Sequence, residues 1–300
     1  MLISPDILID RIKLKNTIKL WKLIAIFAIG IVVFTMFPKA PISPKTGFIA
    51  RISVNDVITQ NIDQDILIKE IADNKMIKAV IMHIDSPGGT SYGGEALYTN
   101  LRKIAETKPL VAVLDTVAAS AGYMAALAAE HIVAGHTTIT GSVGVLMETA
   151  DVTELTKKLG VKFETYKSGA LKNTPSLFEQ TSAKSREVLD ESILDSYNFF
   201  INLVQTRRSL TPENIKIISD GRVVTGNQAL KLGLIDQIGF EDDALKWLFD
   251  IKHIKQDLKV KDVEIEPKRH MWEEYVAKSL ANITSKLLIN IKYNMSMIYD

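Results

Sequence analysis

Two short segments rich in small residues carry groups that could do chemistry. The first, DSPGG at 85–89, directly follows an apolar run of strand length that ends at Ile84. Paired glycines such as Gly88 and Gly89 let backbone amides approach a ligand closely, and amides that point at one place can bind an anion or a developing oxyanion. A turn that simply requires glycine would show the same letters, so this segment alone leaves both interpretations open.

The second segment, VAASAGY at 117–123, follows another apolar run that ends near Leu114 and surrounds one serine, Ser120, with small residues. A serine on a sharp turn between a strand and a helix resembles a nucleophile elbow, which presents the hydroxyl to substrate. The next amide, that of Ala121, would then begin a helix and could donate to an oxyanion. The alternative is that Ser120 only caps the helix, a common role for serine.

A serine nucleophile needs a base. The five histidines show no spacing typical of a ligand set, and His83 lies in a strand pattern that favours a hydrogen-bonded core residue. A lysine can act as the base when burial or a neighbouring cation lowers its pKa toward neutrality. Lys167 and Lys172, in YKSGALK at 166–172, are candidates because they follow a predicted strand, although most lysines are solvated surface groups.

Composition excludes several function classes. The 300 residues include no cysteine, which rules out disulfides, cysteine nucleophiles and thiolate metal sites. The formal net charge of +1 gives no reason to expect nucleic acid as a partner. Zincin, P-loop and dinucleotide-binding motifs are all absent, so the sequence predicts neither a metal nor another cofactor.

The elements that must position these groups alternate along the chain. Continuous apolar runs predict buried parallel strands, and periodic apolar positions predict helices between them. The predicted strands are 48–53, 78–84, 110–114, 131–134 and 161–166, and the predicted helices are 63–72, 94–107, 120–129 and 181–209. The fold class is therefore α/β with right-handed crossovers, and such sheets bind ligands at the carboxyl ends of their strands.

An uncharged apolar run at 23–37 follows a stretch with an excess of lysine and arginine. By the positive-inside rule, this pattern predicts a cytoplasmic tail at 1–20, a transmembrane signal anchor at 21–37 and a linker at 38–46, with the remainder outside the cytoplasm. A cleaved signal peptide and a buried core helix are the alternatives. The prolines that follow the run argue against cleavage there.

Taken together, five segments resemble, in order, those of the bacterial signal peptide peptidase A family. These are membrane-anchored Ser–Lys proteases with a Clp protease/crotonase-like fold (ClpP/crotonase). The segments are DSPGG at 85–89, AASAGY at 118–123, TITGSVGV at 138–145, YKSGALK at 166–172 and GRVVTGNQALKLGLID at 221–236. The resemblance runs from about residue 47 to residue 248 and implies a short, single-copy form with its protease domain at 47–251. The last 30 residues mix apolar and basic positions, which predicts a peripheral segment at 252–300.

The resemblance also implies roles for individual residues. The family's nucleophile falls on Ser120, and its general base falls on Lys172, not on Lys167. The oxyanion amides are expected from Gly88, Gly89 and Ala121. Ser142 matches a serine that hydrogen-bonds the catalytic lysine in the family.

Two positions depart from the family's pattern. Ala121 stands where the family usually has glycine, so a methyl group could narrow the pocket or shift the oxyanion amide. Asn173 stands where the family usually has aspartate, which removes a charge beside Lys172. Neither change removes a reacting atom.

The implied function is a serine endopeptidase that degrades remnant signal peptides after their release from preproteins. It would act at the bacterial inner membrane with the catalytic domain on the periplasmic side and without a cofactor. The family's short forms imply a homo-oligomer, a ring of eight, in which Ser and Lys come from neighbouring subunits. The alternatives are an inactive membrane scaffold and an acyl-CoA hydratase or isomerase on the same fold.

Overall fold

The computed structural model describes Lys19, Trp21, Lys22, Ile24–Phe27 and residues 47–265. The first seven of these residues are helical and exposed, and they belong to a separate unit, Met1–Lys45. No helix in the described part of the chain is long and apolar enough to cross a membrane. Most of the predicted anchor, the linker before residue 47 and the segment after residue 265 lie outside the described residues.

The described residues from 47 onward form an eight-stranded mixed sheet. Its main path has the order β6-β5-β3-β2-β1-β8, and β4 pairs with both β3 and β7. All pairings are parallel except that of β5 with β6. The strands are β1 (Phe48–Ile58), β2 (Ile77–Gly89), β3 (Leu110–Ala119), β4 (His131–Ala134), β5 (Ile139–Gly141), β6 (Val223–Thr225), β7 (Gln237–Ile238) and β8 (Val260–Asp262).

Helices connect these strands, as the predicted α/β class requires. They are α1 (Ile62–Asp73), α2 (Ser91–Thr107), α3 (Ala121–Ala126), α4 (Thr153–Lys158), α5 (Ala183–Arg207), α6 (Pro212–Ile218), α7 (Gly226–Leu232) and α8 (Glu241–Asp250). The predicted long helix is confirmed as α5, and Ser182 caps it by accepting a hydrogen bond from the amide of Ser185.

Both faces of the central sheet are buried, which explains why its strands read as continuous apolar runs. Side chains alternate between the two faces: Met82 and Ile84 of β2 join one cluster, and Ile81 joins the other. Helices α1, α2, α3 and α5 contribute to the first cluster. The second is completed by Ala244 and Leu248 of α8.

The predicted strand at 161–166 is wrong. These residues are exposed and pair with no strand of the described sheet. The apolar Phe163 in this stretch packs locally instead, because its ring stacks on Phe178 with 3.9 Å between ring centroids. The sheet also extends beyond residue 251, since β8 pairs with β1 at one edge. The helix predicted at 120–129 ends earlier, at Ala126.

His83 on β2 links three elements through its ring. Its Nδ1 atom lies 3.1 Å from the carboxylate of Asp115 on β3, and its Nε2 atom lies 2.8 Å from that of Glu241 on α8. Glu241 also accepts a 2.5 Å hydrogen bond from Arg51, which bonds Asp262 on β8. The hydrogen bond with Asp115 raises the pKa of His83, and Glu241 adds to this against the opposing effect of burial.

We expect His83→Gln to destabilise the chain mainly at acidic pH. Because the folded-state pKa of His83 lies above its ordinary value of 6.5, the charged ring stabilises fully below that value and less as the pH rises through the folded-state pKa. The variant should lose about 1–3 kcal/mol of unfolding free energy at pH 5.5, as for hydrogen bonds to charged groups, and less at pH 9. Urea unfolding of the full-length chain at both pH values measures this; equal losses would contradict it.

Candidate active site

A cavity of about 1230 Å³ opens at the carboxyl ends of three strands. Gly89 ends β2, Ser120 follows β3 and Ser142 follows β5, and all three residues line this cavity together with Ala121. The cavity therefore lies where ligands bind in open α/β sheets. Of the six residues predicted for the site, four line it directly.

Ser120 occupies a sharp turn between β3 and α3, as the sequence predicts. Its backbone has φ +52° and ψ −120°, a conformation that costs a non-glycine residue about 1–3 kcal/mol and persists only where neighbours enforce it. Two hydrogen bonds enforce it here. The amide of Ser120 donates to the carbonyl of Gly141 at 2.9 Å, and its carbonyl accepts from the amide of Met124 at 2.9 Å.

The hydroxyl of Ser120 is uncommitted. Ser120 stands at the N-cap position of α3, yet its side chain makes no capping hydrogen bond, so the alternative of a simple helix cap is wrong. Within the described part of the chain, no other group hydrogen-bonds to its Oγ atom. A strained serine with a free hydroxyl at a cavity has the geometry that a nucleophile needs.

The two glycines at the end of β2 are required for different reasons. Gly88 has φ +126°, and a Cβ atom there would lie 2.9 Å from the Cβ and 3.3 Å from the Oγ of Ser120. The backbone of Gly88 is therefore in contact with the serine. A Cβ atom on Gly89 would lie 1.8 Å from the carbonyl oxygen of Ile58 on β1. The glycines can therefore serve both a turn and a site, so the two interpretations of the DSPGG segment are compatible.

Ser86 positions this glycine pair, a role that sequence reasoning missed. Its side chain is fully buried, and its hydroxyl donates to the carbonyl of Asp56 at 2.6 Å. The same oxygen accepts from the amide of Gly88 at 3.2 Å. The Gly88 amide is thus already engaged, whereas Gly89 and Ala121 both line the cavity. The sequence feature that could have indicated this role is a hydroxyl residue placed between a buried strand and paired glycines.

The methyl group of Ala121 fits without distorting the turn. Ala121 is buried, and its Cβ atom lies against Gly94 of α2, where a Cβ would approach it to 2.9 Å. Gly122 packs equally closely on the carbonyl of Ser86, 2.8 Å from the position of an added Cβ. The departure from the family's glycine at position 121 is therefore accommodated by a glycine on the neighbouring helix.

Ser142 reaches the cavity through the pairing of β5 with β3. The register places Gly141 opposite Ala119, so the residues that follow them, Ser142 and Ser120, both lie at the same cavity. Ser142 also has a left-handed backbone, with φ +51°, and its amide donates to the carbonyl of Arg222 at 2.9 Å.

Two predicted site residues do not line the cavity: Gly88, which contacts Ser120, and Lys172. Lys172 is exposed in a turn, and its amide donates to the carbonyl of Gly169 at 3.0 Å. The neighbouring candidate, Lys167, is instead paired with the carboxylate of Glu179. Asn173 follows Lys172 with φ +69°, a conformation that Asn and Asp tolerate better than most residues.

Large apolar side chains line much of the rest of the cavity, beside the polar Asp190, Asp195 and Ser196 of α5. They come from α3, α5 and the segment after β5: Met124, Val145, Leu146, Ile193, Leu194, Tyr197, Phe199 and Phe200. Among the described residues, no group of three or more His, Asp or Glu side chains could hold a metal ion. The site therefore combines a free hydroxyl, backbone amides and an apolar surface.

Two family models match the chain. "Clp protease" matches residues 48–138, which carry β1 to β4 and Ser120, and this places the sheet in a Clp protease-like α/β fold. "Peptidase family S49" matches residues 102–255, which carry Ser120, Ser142 and Lys172. The chain thus has the fold of a class of peptidases.

Curated relatives lead to the same family. The chain is 35% identical over 221 residues to a candidate protease of Synechocystis sp., with 73% of this chain and 80% of that protein covered. It is 34% identical over 211 residues to a candidate signal peptide peptidase SppA of Enterococcus faecium, covering 66% and 61%. It is also 34% identical over 173 residues to the chloroplastic serine protease SPPA of Arabidopsis thaliana, covering 57% and 26%.

The chain belongs to peptidase family S49. The resemblance to signal peptide peptidase A that the sequence motifs predict is confirmed by these relatives. The chain spans less than two thirds of the length of the Enterococcus faecium and Arabidopsis thaliana relatives.

Proposed function

We propose that this peptidase is a serine endopeptidase in which Ser120 is the nucleophile and Lys172 the general base. One observation carries the proposal: the strained turn presents an unbonded Ser120 hydroxyl to a cavity, in contact with Gly88. The pairing of Lys167 with Glu179 favours Lys172 as the base, because the Lys172 amine makes no ion pair with any described residue.

In the first half-reaction, the Ser120 oxygen attacks the peptide carbonyl carbon while the Lys172 amine takes the hydroxyl proton. Amides of Gly89 and Ala121 donate to the oxyanion, and the Gly88 amide can join them if it leaves Ser86. The C–N bond then breaks as Lys172 returns the proton to the leaving amine. A water molecule, deprotonated by Lys172, attacks the acyl-enzyme and releases the acid and free Ser120.

We propose further that Lys172 serves the Ser120 of a neighbouring subunit in a homo-oligomer, which the family resemblance suggests is a ring of eight. The position of Lys172 away from its own cavity supports this arrangement. The segment that carries it also exposes many large apolar side chains, as expected of a surface that a partner covers. They include Leu146, Leu155, Leu159, Phe163, Tyr166 and Phe178.

The large apolar side chains that line the cavity support peptides with apolar side chains as substrates. Signal peptides, the class in the name of the Enterococcus faecium relative, have this character, and we propose their remnants as the substrates. The predicted anchor at 21–37 would hold the site beside the outer face of the bacterial inner membrane, where such peptides remain after processing. Each of these points is a proposal, and no cofactor enters the reaction.

Mixing two inactive variants tests the shared dyad. Ser120→Ala and Lys172→Ala are each expected to lower hydrolysis of a fluorogenic signal-peptide fragment by the full-length chain by at least about 1000-fold, as for members of a catalytic unit. Co-assembled in equal amounts, the two variants should recover part of the activity, because some sites then receive an intact serine from one subunit and an intact lysine from another. The matched control is Lys162→Ala, an exposed lysine of the same segment.

Two outcomes would contradict this proposal. Full activity of Lys172→Ala would remove the lysine from the reaction. An assembled mixture without any recovery would place both groups in one subunit. The space that Gly94 leaves for the Ala121 methyl group weakens one of the two hints at an inactive scaffold. Activity that does not depend on Ser120 would favour the acyl-CoA alternative, and absence of activity in the unmodified chain would favour the scaffold.

A further inference from the structure

The loop that carries Lys172 is held at its two ends and, beyond Lys172, by the hydroxyl of Thr174, which lies 3.3 Å from that of Ser185 on α5. We use the term base loop for residues 168–178. Residues 168–173 are exposed and form no helix or strand, and the amide of Lys172 makes one local bond, to Gly169. Apart from that local bond, residues 168–173 make no hydrogen bond or ion pair with the described part of the chain, so the position of Lys172 depends on the contacts of the residues on either side.

Three contacts close these ends. The amine of Lys167 is paired with the carboxylate of Glu179, immediately outside the base loop on either side. The Phe163 and Phe178 rings stack, with planes inclined by 20°. The amide of Val152 donates to the carbonyl of Leu177 at 2.9 Å. Of these three contacts, only the ion pair joins the residue just before the base loop to the residue just after it.

We propose that the Lys167–Glu179 ion pair positions Lys172 for catalysis by fixing both ends of the base loop. The inference rests on the proposed role of Lys172 as the base. Lys167 and Glu179 are positioning residues, because they act on the reaction through the loop and contact no reacting atom. The chemistry therefore depends on two charges that take no part in proton transfer.

Burial distinguishes this pair from ordinary surface pairs. The side chains of Lys167 and Glu179 are 20% and 35% exposed, whereas those of the nearby Lys162–Glu164 pair are 83% and 54% exposed. Lys167 is the one residue between 161 and 173 that is not exposed. Solvated pairs such as Lys162–Glu164 contribute little to conformation. The hydrogen bond from Lys167 also holds the pKa of Glu179 below its usual range, so the carboxylate stays charged in more acidic solution than an ordinary glutamate does.

Steady-state kinetics of the full-length chain test the proposal. Glu179→Gln and Lys167→Met should lower kcat by about 10- to 100-fold with little change in KM, since small misplacements of a reacting group have effects of this size. Lys167→Arg, which keeps the charge, should restore most of the activity. Lys162→Met is the matched control.

The outcomes separate this inference from the proposed function. Ser120→Ala and Lys172→Ala are measured in parallel, and if either retains activity, both the proposed function and this inference fail. If both are inactive while Glu179→Gln and Lys167→Met match Lys162→Met in kcat, only this inference fails. It also fails if light scattering shows that these variants lose activity solely by dissociation of subunits, with normal kcat in the assembled fraction.

Discussion

Ser120→Ala is expected to lower peptide hydrolysis by at least about 1000-fold while leaving the fold intact. The hydroxyl is the group that forms the acyl-enzyme in the proposed reaction. Because it has no hydrogen-bond partner among the described residues, its removal leaves no buried group unsatisfied. The unfolding free energy should therefore change by less than about 0.5 kcal/mol. Hydrolysis rates and urea unfolding of the full-length chain measure the two quantities.

Ser196→Ala is the matched control for this experiment. Ser196 lies on α5 and lines the same cavity, but the reaction requires nothing of it. It should retain activity within about threefold of the unmodified chain, a difference of less than about 1 kcal/mol in transition-state stabilisation. Equal loss in both variants, or full activity in Ser120→Ala, would count against Ser120 as the nucleophile.

Gly88→Ala is expected to have the second largest effect, on activity and stability together. At φ +126° an L side chain is strained by about 1–3 kcal/mol. Its Cβ atom would also lie 2.9 Å from the Cβ of Ser120, so the serine must move. A displaced nucleophile predicts a loss of at least about 100-fold in kcat. Urea unfolding and initial rates on the same preparation give both effects.

Substitutions at two other glycines are expected to have a larger and a smaller effect on stability than Gly88→Ala. Gly89→Ala should be more destabilising than Gly88→Ala, because its Cβ atom would lie 1.8 Å from a backbone carbonyl of β1 that cannot move without opening the sheet. Gly144→Ala, on the same cavity, meets only an ordinary 3.4 Å contact and should change the unfolding free energy by less than about 0.5 kcal/mol. Normal activity and stability in Gly88→Ala would show that Gly88 has no close relation to Ser120.

The sequence predicts the central sheet well because burial on both faces leaves a strong local signal. The central parts of β2 and β3, residues 79–82 and 110–114, are apolar throughout, and α5 carries an apolar stripe from Leu189 to Val204. The signal fails at the surface. At 161–166 the Phe163 ring stacks on Phe178, and the residues form no strand. Short edge strands such as β8 have too few residues to show a period.

The candidate site could be predicted only in part, because a sequence pattern shows local features and not contacts between distant segments. Ser120 and the glycines lie in local patterns of small residues beside predicted strands. Ser86 and Gly94 act through contacts between distant segments, with Asp56 and Ala121, and a local pattern carries no trace of these. The separation of Lys172 from the cavity depends on the course of a surface loop, which is set by tertiary contacts such as Lys167–Glu179.

Trapping the acyl-enzyme tests the central claim most directly. The full-length chain would be mixed with an activated peptide ester, quenched in acid within milliseconds, digested and examined by mass spectrometry. The proposed reaction predicts one new ester, with the peptide acyl group on the Ser120 oxygen and the alcohol released, and no such product in Ser120→Ala. An acyl group on another serine such as Ser142, or turnover of the ester without any acylated serine, would contradict it.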